Sequence, residues 1–241
     1  MPQGIGVFMF WNGGKGSGME KLMIAEKPVA LFSATAPGAP LVVLNGEDDE
    51  GEAIWAAVKA ITDADFSLAA IGGLDWDDEL TPWPAPGIAR GRAFGGGADD
   101  WLATLTEAVV PQIIAKLPRP SRWVGLAGYS LAGLFAVYAL YRTNAFARIA
   151  SASGSLWYPG FAAYADENDL RRAPERAYLS VGEREALTKN PALRAVEEVT
   201  RRMAARLEAA GALTRFELNP GGHFNDPVGR MAKGIAWLLE A

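Results

Sequence analysis

The sequence predicts an α/β protein, a mostly parallel central sheet flanked by helices. Three observations carry this prediction. Short, wholly apolar runs such as "LVVL" at 41–44 are bounded by Pro40 and Gly46, as strands buried on both faces are. Stretches of helical length and helical periodicity lie between these runs. The runs also end in Gly- and Asp-rich segments, the composition of loops at the carboxyl rim of such a sheet.

Taken in order, the N-terminal segment alternates poorly, and "VALFSA" (Val29 to Ala34) is the first strand expected. "APLVVLNG" follows as a buried strand. Glu50 to Ile61 reads as a helix with Ile54, Trp55, Val58 and Ile61 on one face. "FSLAAIGG" (Phe66 to Gly73) is the next strand. A loop rich in Pro and Trp leads to "GGGADD", where Asp99 or Asp100 would cap a helix running to about Ile114. "WVGLAG" is then a strand and Leu131 to Tyr141 a helix. "ARIASASG" and "AYLSVG" are further strands. Pro191 to Ala210 reads as one long helix, with Pro191 in its first turn and Gly211 just beyond its end. "LTRFELN" is the last strand and Val228 to Leu239 the closing helix. Neither repeat nor linker interrupts the pattern, so one domain spanning 1–241 is expected.

Composition narrows the function classes. Half the residues are hydrophobic and the net charge is -5, with no basic run, which argues against a nucleic-acid surface. There is no cysteine, which removes disulfides and thiolate chemistry, and a single histidine, His223, which removes multi-His metal sites. No secretory pattern opens the chain and no apolar run approaches a membrane span. The expectation is a cytoplasmic protein, monomer or homodimer, without metal or organic cofactor. "WNGGKGSG" near the start lacks the spacing of a phosphate loop and reads as a glycine-rich turn.

"GYSLAG" at 128–133 places Ser130 on the corner between a strand and a helix. It is either a helix cap or a nucleophile raised on a strained turn, which needs small residues two before and two after it. Gly128 and Ala132 meet that requirement. "NPGGHFND" tips the choice, because a serine hydroxyl needs a base, and His223 follows the last strand on the same rim. The chain order serine, acid, histidine is that of α/β-hydrolases. The acid would follow "AYLSV", where Glu185 is preferred and Glu183 remains open; a Ser-His dyad is the third option. Oxyanion donors would be the backbone N–H groups of Leu131 and Glu47. Trp76, Trp83, Trp157 and Phe224, on rim loops, with Tyr129 beside Ser130, suggest an apolar pocket. The acidic run from Glu47 to Glu50 reads first as a solvated helix start.

These residues resemble the Putative esterase family of α/β-hydrolases, which holds siderophore (enterobactin-type) esterases, feruloyl esterases, S-formylglutathione hydrolases and mycolyltransferases. The resemblance runs from about Leu41 to the C-terminus, on "LVVLNGEDDEGEAIW", "LTPWP", "GYSLAGLFAVYAL", "SASGSLWY", "SVGERE" and "GGHF". "TPW" and "SASGSLW" look most like the siderophore-esterase branch. It implies a serine carboxylesterase acting on a siderophore-type or small acyl ester, with Ser130 as nucleophile, His223 as base, Leu131 and Glu47 as N–H donors, and Trp157 near the pocket. An acyltransferase on the same residues and a binding protein on a hydrolase scaffold are the alternatives. Ala132 departs from the commoner glycine, and the segment from Tyr158 to Glu175 is too short for a large lid.

Overall fold

The computed structural model describes residues 18–88 and 92–240. All but the last residue of the glycine-rich turn expected at 11–18 lies outside them. Eight strands form one sheet: β1 (Met19–Ile24), β2 (Lys27–Phe32), β3 (Leu41–Asn45), β4 (Ser67–Ile71), and, after a short hairpin of β5 (Ala85–Pro86) and β6 (Ala93–Phe94), β7 (Val124–Tyr129), β8 (Arg148–Ala152), β9 (Arg176–Gly182) and β10 (Leu213–Asn219). Their order is β1-β2-β4-β3-β7-β8-β9-β10. The pairs made by β1 with β2 and by β2 with β4 are antiparallel; the others are parallel.

That order locates the site before any side chain is considered. From β3 the chain moves outward to β4, then returns to the other side of β3 to lay down β7. The winding reverses there, so the carboxyl ends of β3 and β7 diverge into a crevice, the usual ligand position in an open α/β sheet. Register places Asn45 beside Gly128. The loop beginning at Gly46 and the corner at Ser130 therefore start level with each other.

Helices cover both faces. On one, α1 (Glu50–Ile61) and α8 (Pro227–Leu239) set Ile54 and Val58 against a cluster that includes Met231, Ile235 and Leu238. On the other lie α2 (Ala98–Thr104), α3 (Val110–Lys116), α4 (Ser130–Arg142), α5 (Phe161–Glu167), α6 (Pro191–Arg194) and α7 (Val196–Ala209). Residues 131–141 of α4 are all buried, which fits a helix apolar on every side. A π-helical turn at Leu105–Val109 joins α2 to α3, and the Val110 N–H donates to Leu105 C=O. Pro111, which has no N–H to give back to the preceding turn, explains the wider turn just before it.

Several elements differ from the sequence expectation. The strand β1 went unnoticed because, as an edge strand, it shows water most of its residues and no clean alternation. Ile61 is 54% exposed, since α1 ends there beyond the packed surface. Neither Asp99 nor Asp100 caps α2. Gly97 takes that position, and Asp99 instead accepts from Arg142 at 2.8 and 2.9 Å and from Tyr138 at 2.9 Å. The helix from Pro191 is interrupted at Ala195, giving α6 and α7. Gly211 does follow its end, at φ +95°, a conformation glycine adopts without steric penalty.

Candidate active site

The corner after β7 is built by sterics. Ser130 has φ +55°, a left-handed conformation that costs a non-glycine residue of the order of 1–3 kcal/mol. Close approach of the backbone on both sides makes the turn possible. A Cβ at Gly128 would lie 2.4 Å from the carbonyl carbon and oxygen of Ala132, and one at Gly133 would lie 2.9 Å from Gly154 Cα. The methyl of Ala132 therefore fits because Gly128 has none. The Ser155 N–H holds the Ser130 carbonyl at 2.9 Å.

The serine hydroxyl does not cap α4. It points outward, 3.0 Å from His223 Nε2 and 3.3 Å from the Ser155 hydroxyl. His223 comes from the loop between β10 and α8, where Gly221 at φ +88° makes the turn and Asp226 caps α8 by accepting from the Gly229 N–H. The other ring nitrogen, Nδ1, is 2.8 Å from Glu185 Oε2. Glu185 Oε1 accepts from the Gly182 N–H at 2.6 Å and from Arg230 at 3.0 Å. Glu183 reaches the Gly221 N–H at 3.3 Å and not the imidazole. Of the two carboxylates left open by the sequence, Glu185 is the one beside His223.

The charge on Glu185 is well supported. Burial pushes its carboxyl pKa up, but the hydrogen bonds from His223 and from the Gly182 N–H outweigh this and hold it below the ordinary glutamate range. A charged acceptor at Nδ1 fixes the tautomer, leaving Nε2 free to take a proton from Ser130.

The hydroxyl opens into a cleft of about 560 Å³. Phe94, Leu131, Trp157, Leu193, Val196 and Phe224 give it mainly apolar walls, and the ion pair of Arg92 with Asp77, at 3.6 Å, lies at the same cleft. Phe224 is 90% exposed and stands edge-on to His223. Three residues expected in the pocket lie elsewhere. Trp83 packs among Tyr138, Tyr158 and Tyr164 and donates its indole N–H to the Pro159 carbonyl at 2.9 Å. Tyr129 sits behind the histidine, its hydroxyl donating to the His223 carbonyl at 2.6 Å. Trp76 packs against the core, because the turn from Asp75 to Asp78 carries it there. Leu131 is part of the cleft wall. The Glu47 N–H donates to Glu50 Oε2 at 3.3 Å, so the proposed second donor carries a carboxylate in this conformation.

Arg230 and Ser153 belong to this site and were absent from the sequence reading. Arg230 is 1% exposed and donates to Glu185, to Ser153 at 2.8 Å, to Tyr129 at 3.3 Å, and to the carbonyls of Pro220 and Gly222 at 2.8 and 3.0 Å. Ser153, fully buried, has φ +46°, a second strained serine at this rim. The only available signal was a charged residue on the apolar face of the last helix, seven positions after the histidine. Among the described residues no group of three metal-ligating side chains comes together, and no helix is long and apolar enough to cross a membrane.

Comparison with known proteins gives three kinds of match. The model of the family described as Putative esterase matches residues 37–226. The uncharacterized protein YbbA of Bacillus subtilis (strain 168) is 30% identical over 138 residues, which are 56% of this chain and 55% of YbbA. Among solved structures, the siderophore hydrolase EstA of Aspergillus nidulans is 20% identical, with a TM-score of 0.73 over 97% of this chain and 98% of its own. An IroE-like serine hydrolase from Shewanella oneidensis is 14% identical, with a TM-score of 0.77 over 93% of this chain and 80% of its own. At such identities these structural likenesses speak for the fold, which is the α/β-hydrolase fold.

Proposed function

The chain belongs to the Putative esterase family of carboxylic ester hydrolases, and from that premise we propose that it is a serine esterase working through Ser130, His223 and Glu185. The observation that carries the reading is the unbroken relay at a strained corner: Glu185 Oε2 to Nδ1 at 2.8 Å, and Nε2 to Ser130 Oγ at 3.0 Å. The second distance allows proton transfer from Oγ to Nε2 without rearrangement, while the first lets the carboxylate orient the ring.

In the first half-reaction Nε2 takes the hydroxyl proton as Oγ attacks the ester carbonyl. The negative charge that forms on the carbonyl oxygen lies at the N-terminus of α4. There the Leu131 N–H and the helix dipole stabilise it. The Glu47 N–H supplies the second donor once the Glu50 carboxylate moves aside. The C–O bond to the alcohol breaks, and Nε2 returns the proton to the leaving oxygen. Water then gives a proton to Nε2 as its oxygen attacks the acyl carbon. The C–Oγ bond breaks, and Nε2 returns that proton to Oγ, which frees the acid and restores Ser130. Glu185 stays ionised throughout and stabilises the imidazolium.

The substrate is an ester with an apolar body, matching the cleft walls. The likeness to the siderophore hydrolase EstA supports a siderophore-type ester, and small acyl esters fit the same walls. The test is hydrolysis of p-nitrophenyl acetate and butyrate by the wild type, Ser130→Ala and His223→Ala. Each variant is expected to lose about a thousandfold or more in kcat. Equal, negligible rates in all three proteins would overturn the reading.

A further inference from the structure

The geometry points to Arg230 as the positioning residue of the acid–base pair, acting through Glu185. This rests on the esterase reading of Ser130, His223 and Glu185 given above. A guanidinium that is 1% exposed is costly unless its N–H groups are paired. Here they are paired with the two loops that carry the acid and the base.

The division of labour between the two carboxylate oxygens is the core of the argument. The terminal torsion of a glutamate is broad, so a carboxylate held at one point can rotate and present either oxygen. Glu185 Oε1 is held by two donors, the Gly182 N–H and Arg230 Nη1. That leaves Oε2 fixed in direction toward Nδ1. On the other arm of the fork, Nη2 holds the carbonyls of Pro220 and Gly222, the latter immediately before His223. Nη1 also reaches Tyr129, whose hydroxyl grips the His223 carbonyl. One rigid planar group from α8 therefore sets the acid of the β9 loop and the base of the β10 loop in mutual register. Lysine, a point charge on a flexible stem, cannot serve both arms at once.

The test is a double-mutant cycle with p-nitrophenyl butyrate. Arg230→Lys should lower kcat by about ten- to a hundredfold with KM nearly unchanged, the cost of misplacing a catalytic group by an ångström or less. In the Glu185→Gln background the same change should cost at least about threefold less than in the wild type, because the charge that Arg230 aims at Nδ1 is gone and only its hold on the His223 loop remains. A merely structural arginine would instead multiply the two losses or leave kcat intact, and either result in folded protein overturns the proposal. Because the chain has one histidine, a 15N-histidine spectrum reports on this imidazole alone. Its Nδ1 proton resonance should move in Arg230→Lys, and an unmoved resonance counts against the proposal. Should Arg230→Lys fail to fold, Ser153→Ala, which removes one of the guanidinium's acceptors, carries the same cycle with a severalfold loss expected. A wild type that hydrolyses no ester would sink the esterase reading, while the spectrum would still test the positioning.

Discussion

The two halves of the site are held by different physics. At the β7–α4 corner, position is set by what the backbone cannot do: Gly128 and Gly133 leave no room for a Cβ, and Ser130 is forced to φ +55°. The loops after β9 and β10 also approach closely, a Cβ at Gly182 lying 2.5 Å from the Gly221 carbonyl oxygen, but the direction of the side chains they carry is set by charge. Glu185 and His223 meet because Arg230, Tyr129 and the Gly182 N–H hold them. Steric control is local in sequence where Gly128 meets Ala132, with Gly154 closing on Gly133 from the loop after β8. Polar control joins residues far apart along the chain, brought together only once the sheet has formed. The two halves should therefore fail differently.

The largest effect should come from the polar half. Glu185→Gln keeps the shape, and its amide oxygen can still take the Arg230 and Gly182 donors, but it withdraws the charge from Nδ1. A fall in kcat of about a hundred- to ten-thousandfold is expected, with KM changed little, because ground-state binding does not involve this oxygen. Stability, read from denaturant unfolding, should fall by only about 1 kcal/mol, because the amide oxygen keeps the Gly182 and Arg230 donors. Activity collapsing with an intact fold is the signature of this half.

Gly128→Ala probes the steric half, and here activity and stability should fall together. The added methyl meets backbone atoms of Ala132, which cannot rotate away. A loss of about 1–3 kcal/mol is expected from overpacking. A drop of roughly a hundredfold in kcat/KM should accompany it as Oγ is displaced. Full activity in Gly128→Ala would mean that the corner is not confined as described.

Tyr129→Phe should do less, because it removes one tether of the His223 loop while Arg230 keeps the neighbouring carbonyls. About 1 kcal/mol of stability and a severalfold fall in kcat are expected. A fall as large as that of Glu185→Gln would make Tyr129, rather than Arg230, the main support of the loop.

This contrast also explains what could be read from the sequence. The corner was legible because sterics leaves a local trace: a serine between Gly128 and Ala132, after an apolar strand and before an apolar helix. His223 was legible because it is the chain's single histidine and lies on a rim loop. Glu185 and Glu183 could not be told apart, since the direction of a side chain two residues past a turn depends on partners elsewhere in the fold. Arg230 was hidden for the same reason, being one basic residue in an otherwise ordinary amphipathic helix. Trp76 misled because a rim loop can fold a ring back onto the core as readily as into a cleft. The strand β1 was missed for want of alternation.

Acid stability gives the smallest effect and the most specific one. Glu185 is held below the ordinary glutamate range in the folded protein, while the unfolded chain takes up its proton near pH 4.3. The unfolded state thus binds more protons between those two values, and stability rises with pH across that window. The contribution is complete above about pH 5 and disappears as pH falls through the folded pKa. Other carboxyls blur the total curve. Burial pushes Glu50 up, giving a contribution of opposite sign. Asp65 is also held low: burial raises it, and the Ala36 and Thr35 hydrogen bonds more than offset that. The difference between wild type and Glu185→Gln removes both, because neither contacts the substituted side chain. That difference, from urea unfolding at pH 6, 5, 4 and 3, should be constant at the top and shrink toward acid. If it stayed flat to pH 3, the Glu185 charge would contribute nothing to the fold, and the polar half would be held by shape after all.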